Sequence, residues 1–198
     1  MSRKMILRIG SGTLITLLAL GAIATASARQ SAFPNIRIKN FGQMTERFYR
    51  GAQPKEDDYA DLKALGVKTI IDLQEDPKPY ERPAAESLGM RYINIPMVDK
   101  GYPPDAQIQQ FLKLANDPAT GVFFVHCAGG RHRTGIMGAV YRFTVDHWNY
   151  DQVYGEMKQY DFYSSWGHGD QKKYIQDYWT NLLAKNAAAV SNAADAHN

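Results

Sequence analysis

From Phe48 onward, apolar and polar positions alternate between short extended runs and amphipathic stretches. Phe48-Tyr49-Arg50 predicts a short strand, stopped by Gly51 and Pro54. Residues 55–65 show helical spacing through Tyr59, Leu62 and Leu65, with acids early and Gly66 as a C-terminal stop. Residues 67–73, rich in β-branched side chains, predict a buried strand. A charged loop with two prolines leads to a short helix over 81–88, ended by Gly89, and then to a strand over 91–96. A loop over 97–104, with Gly101 and Pro103-Pro104, precedes a helix over 105–115 for which Asp105 reads as the N-cap. Residues 121–125 predict the central strand. Residues 134–145 are almost entirely apolar or small, so the helix they form should be buried on several sides. Further helices are expected over 151–160 and 170–183, joined by an aromatic- and glycine-rich connection over 161–169. Strands alternating with helices at these lengths imply an α/β fold, a single domain with a mainly parallel central sheet flanked by helices.

The first 28 residues do not fit this pattern. A basic start (Arg3, Lys4, Arg8) is followed by an uncharged apolar stretch over 9–23 and by Ala26-Ser27-Ala28, a small-x-small cleavage pattern. Residues 1–28 are therefore expected to be a signal peptide, and the protein to be exported, periplasmic or secreted. The alternative is an uncleaved membrane anchor, since the stretch approaches the ~17-residue lower limit for a spanning helix. Residues 29–45 read as a polar, extended lead-in, residues 46–184 as the domain, and residues 185–198, rich in Ala and Asn, as a disordered tail.

Composition narrows the function classes. The formal charge is +3, but the three early cations account for it, and the rest of the chain has 20 basic and 20 acidic residues. That balance excludes a protein that holds nucleic acid by bulk charge, so any anion site must be local. His147, His168 and His197 show no metal-ligand spacing with one another or with the single cysteine, so no metal is expected, nor another cofactor.

That cysteine, Cys127, follows the central strand directly. The sequence there runs His126-Cys127-Ala128-Gly129-Gly130-Arg131-His132-Arg133-Thr134. In a parallel α/β sheet, ligands bind beyond the carboxyl ends of the strands. The small residues Ala128, Gly129 and Gly130 allow backbone N–H groups to turn inward as an anion nest. The N-terminus of the next helix adds positive potential, and Arg133 at its start can fork onto two oxygens of a tetrahedral anion. The same field favours a thiolate at Cys127. Nucleophile, cradle and guanidinium converge on one phosphoryl-like group.

The run His126-Cys127-x5-Arg133-Thr134, with Gly130 at the third x, resembles the signature loop of the cysteine-dependent protein tyrosine phosphatase superfamily, in its small, dual-specificity-like branch. The resemblance covers roughly residues 48–183. It implies a phosphate loop between a strand and a buried helix, and phosphomonoester hydrolysis through a phosphocysteine. Within it Cys127 is the nucleophile, Arg133 binds the phosphoryl oxygens and Thr134 stabilises the leaving thiolate. His126 orients the loop by hydrogen bonding, and residues Ala128, Gly129, Gly130, Arg131 and His132 join Arg133 around the substrate. It also implies a general acid on a preceding loop. Asp99 is the matching position and Asp105 the competitor, while Asp72 and Asp76 read as groups that cap or solvate their own turn. The implied substrate is a phosphotyrosine or phosphoserine/threonine protein, or a small phosphomonoester. Phosphoinositides and inositol phosphates are the alternative, although Ala128 and Gly129 depart from the more basic loops of relatives with such substrates. A non-catalytic phospho-binding module on the same fold is the reading from another class.

Overall fold

The structure, a computed structural model, describes residues 32–195. The expected signal peptide over 1–28 and the last three residues of the tail lie outside the described residues. Five strands form one sheet: β1 (Gly42–Gln43), β2 (Phe48–Ala52), β3 (Thr69–Asp72), β4 (Arg91–Asn94) and β5 (Phe123–Cys127). Among the described residues six α-helices accompany them: α1 (Asp58–Ala64), α2 (Glu81–Ser87), α3 (Asp105–Asn116), α4 (Arg133–Thr144), α5 (Tyr150–Gln159) and α6 (Gly169–Asp195). The strand order is β1-β2-β5-β3-β4. Every neighbouring pair is parallel except β1 with β2. The mainly parallel α/β sheet is thus present, with one short antiparallel edge strand at Gly42–Gln43 that the polar lead-in gave no periodicity to reveal.

β5 lies in the middle, paired with β2 on one side and β3 on the other. All five of its residues are buried, as a strand covered on both faces requires. Its side chains alternate. Phe123, Val125 and Cys127 join the larger core with α3, α4, α5 and α6, while Phe124 belongs to the smaller core with Tyr59 and Leu62 of α1 and Ala85 of α2. Each large apolar side chain fully buried in these cores contributes about 1.5–3 kcal/mol. The strand runs two residues further than its apolar composition suggests. His126 and Cys127 are its last two members, because register with Gly51 and Ala52 of β2 continues to the loop.

α4 follows directly and is buried from Arg133 to Phe143, as its apolar composition predicts. Two other boundaries differ from the sequence expectation. Asp105 is the first residue of α3, and Pro104, in extended conformation, holds the N-cap position. Proline fixes its own φ but cannot propagate a helix backward, and a carboxylate in the first turn still suits the positive helix end. The tail expected to be disordered from 185 instead continues α6 as helix to Asp195. Residues 183–193 are exposed, so tertiary packing does not hold them. Their alanine-rich composition does, because propagation from a packed helix needs no new nucleus. Among the described residues, no helix is long and apolar enough to cross a membrane.

Candidate active site

The loop from Cys127 to Arg133 encloses the floor of a pocket of about 320 Å³, lined by Asp99, Cys127, Ala128, Gly129, Arg131, His132, Arg133, Tyr163 and His168. The backbone of the loop is turned inside out by its surroundings. The Gly129 carbonyl accepts from Asn40 Nδ2 at 2.9 Å and the Gly130 carbonyl from Arg50 Nη2 at 2.6 Å. The Arg131 and His132 carbonyls accept from the N–H groups of Gly135 and Ile136. A trans peptide sets its N–H opposite its C=O, so engaging these four carbonyls turns the N–H groups of residues 130–133 the other way, as an anion nest requires. Gly130 makes this possible. Its φ is +64°, and a Cβ there would lie 2.4 Å from the Gly51 carbonyl carbon. No other residue type fits both the conformation and the space.

Cys127 is buried at the end of β5, facing α4. Arg133 opens α4. Its Nη1 donates to the Met97 carbonyl at 3.2 Å, and its Nη2 lies 3.3 Å from Asp99 Oδ1. The guanidinium is largely covered, whereas the Asp99 side chain is 63% exposed. Asp99, rather than Asp105, is therefore the carboxylate at the pocket; Asp105 lines a separate groove with Tyr102, Tyr174 and Tyr178. Thr134 is fully buried, and its hydroxyl has no hydrogen-bond partner among the described residues.

His126 lies beneath the loop, on the opposite face of the sheet from Cys127. The family resemblance implies that it hydrogen-bonds the loop. Its ring nitrogens instead face two buried carboxylates, Nε2 at 3.1 Å from Glu81 Oε2 and Nδ1 at 3.8 Å from Asp72 Oδ1. The reason is strand alternation: His126 points to the face opposite its neighbour. These three side chains come near enough to hold a cation, but the carboxylate oxygens are already in use. Asp72 accepts from Tyr92 and from the Gln74 N–H, which makes it a turn cap, as the sequence suggested. Glu81 accepts from Tyr59, Gln74 and the Lys78 N–H. Burial pushes the Glu81 carboxyl up, but His126, Tyr59 and the Lys78 N–H outweigh it and hold the group below the ordinary carboxylate range.

The sequence matches the family profile described as a DSP-PTPase phosphatase fused to NAD+ kinase, over residues 33–177. The chain belongs to this phosphatase family. A similar protein is the dual specificity protein phosphatase TpbA of Pseudomonas aeruginosa, 28% identical over 163 residues, which cover 79% of this chain and 72% of that protein. Its crystal structure superposes with a TM-score of 0.62 at 26% identity, over 74% of this chain and 90% of that one. A more distant relative is the inositol diphosphatase SIW14 of Saccharomyces cerevisiae, 24% identical over 131 residues, 63% of this chain and 46% of that protein. The core domain of that phosphatase shares the fold, with a TM-score of 0.64 at 21% identity, covering 78% of this chain and 94% of that one.

Against this phosphatase fold, two residues of the pocket wall, Tyr163 and His168, stand out as unforeseen. They come from the connection after α5, where no periodicity marks a face. His132 Nε2 meets the Tyr163 carbonyl at 3.1 Å, and its ring stacks on His168 at 3.6 Å with 3° between planes. Burial first, then the neighbouring His168, pushes the His132 imidazole down to about 4; the Tyr163 carbonyl and Asp99 oppose this. His132 is thus a neutral wall at physiological pH. The one signal that could have exposed this pair was the clustering of Tyr163, Trp166 and His168 among glycines in an otherwise polar connection.

Proposed function

We propose that this phosphatase hydrolyses phosphomonoesters through a phosphocysteine at Cys127, with phosphotyrosine or phosphoserine/threonine protein as substrate. The observation that carries the reading is the convergence, in one pocket, of a cysteine at a strand end, an inward-facing nest and the Arg133 guanidinium with Asp99 3.3 Å away. The phosphoryl oxygens take the nest and Arg133. The Cys127 sulfur attacks phosphorus as the ester P–O bond breaks, and Asp99 gives its proton to the departing oxygen. The resulting carboxylate then accepts a proton from water, whose oxygen attacks phosphorus and breaks the S–P bond. The unpartnered Thr134 hydroxyl supplies a donor to the thiolate that leaves.

A cysteine-to-serine variant of TpbA has been solved in complex with phosphotyrosine, which supports a phosphotyrosine substrate here. One observation favours a second reading, an inositol phosphate: Arg131 lines the pocket alongside Arg133, giving two cations for a polyanion. A phosphate-release panel over phosphotyrosine peptides, phosphoserine peptides, phosphoinositides and inositol phosphates separates the two. Highest kcat/KM on phosphopeptides supports the first reading; highest kcat/KM on an inositol phosphate overturns it. We also place this activity outside the cytoplasm, on the basic, apolar and small-residue pattern of residues 1–28. Intact Met1 on protein recovered from cells would count against cleavage.

A further inference from the structure

We propose that Gln171 is a positioning residue that fixes the Asp99 loop over the pocket, and that His168 sets its orientation. The inference rests on the reading of Asp99 as the general acid. Asp99 sits on the connection between β4 and α3, half in solvent, where a carboxylate would otherwise sample many positions. Two contacts tie this loop to the first turn of α6 and the residues just before it. Gln171 Nε2 donates to the Asp99 carbonyl at 3.0 Å. The Lys100 side chain lies across Gly167, where φ is +87° and an added Cβ would stand 3.1 Å from Lys100 Cδ.

Gln171 is 1% exposed. A primary amide buried this deeply is costly unless both of its ends are bonded. Its oxygen meets His168 Nδ1 at 2.7 Å and its NH2 group meets Asp99. This assigns the amide orientation, and it requires the proton of His168 on Nδ1. His168, itself buried, stacks on His132 of the phosphate loop. A contiguous series of contacts therefore runs from the loop that holds phosphate, through His132, His168 and Gln171, to the backbone of the acid. An apolar side chain would fill the same space at residue 171. What the amide adds is the grip on Asp99.

The test compares two substrates, phenyl phosphate with a poor leaving group and dinitrophenyl phosphate with a good one. Asp99→Asn should lower kcat by ~10²-fold on phenyl phosphate and little on dinitrophenyl phosphate. Gln171→Leu should reproduce this pattern, with a loss of about tenfold or more on phenyl phosphate. The double variant should be no worse than Asp99→Asn alone, since both act through one group. His168→Phe keeps an aromatic ring to stack on His132 but has no nitrogen to donate to Gln171, so it should show the same pattern more weakly even if Gln171→Leu folds poorly. Equal loss on both substrates, or full additivity with Asp99→Asn, overturns the positioning role while Asp99 stands as the acid. If Asp99→Asn itself shows no leaving-group dependence, the acid assignment fails and the inference falls with it.

Discussion

Arg50 donates to the Gly130 carbonyl at 2.6 Å from within the sheet, with its guanidinium 4.0 Å from the centre of the Tyr160 ring. A strand residue thus fixes the phosphate loop at its sharpest point. Arg50 is 1% exposed, so its charge is spent on structure rather than on solvent. Arg50→Met is expected to cost about 1.5–3 kcal/mol, the range for a hydrogen bond to a charged donor. It should also weaken inhibition by vanadate, because the nest is no longer preorganised. Urea unfolding and a vanadate titration measure the two effects; unchanged vanadate affinity would limit Arg50 to a packing role.

Gly130 and Gly129 should respond differently to the same change. At Gly130 a Cβ meets Gly51 and Ala52 backbone under 3.0 Å at a φ of +64°. Gly130→Ala is expected to destabilise by more than about 1 kcal/mol. At Gly129 the nearest atom is Arg131 Nε at 3.5 Å, an ordinary contact. Gly129→Ala should stay within about 0.5 kcal/mol of the parent in the same unfolding experiment.

Acid should destabilise the fold in two stages. His132 is held down to about 4, below the ~6.5 of an unfolded histidine. Between these values the unfolded chain binds the extra proton, so stability falls as pH drops from about 6.5 to 4. Glu81 is held below its ordinary range. Its contribution is present above the unfolded carboxylate value and is lost as pH falls through the lower folded one. Thermal unfolding of His132→Asn should lack the first stage and keep the second. An unchanged pH profile in that variant would show that His132 is not the group responsible.

The sequence made the chemistry legible and left its supports hidden. Cys127 and Arg133 are readable because a nucleophile and its anion cradle must follow a strand in order, within one loop, whereas Asp99 is picked out only as the position where the family resemblance implies an acid. The contacts that hold these groups are not ordered that way. Arg50 meets Gly130 across 80 positions, and Gln171 meets Asp99 across 72. No periodicity encodes such pairs. His126 shows the converse: the family resemblance implies a hydrogen bond to the loop, yet strand alternation sends the ring to Glu81 and Asp72 on the other face. The α6 extension has no apolar face for periodicity to mark; alanine propensity alone carries the helix to Asp195.

The covalent step is the centre of the account. Rapid quench of the enzyme turning over an aryl phosphate, followed by mass spectrometry of the intact protein and its peptides, tests it directly. The expected result is one added phosphoryl group, located on Cys127, with no adduct and no phosphate release in Cys127→Ser. Phosphate release by Cys127→Ser at the parent rate, or a phosphoryl group on any other residue, would contradict it.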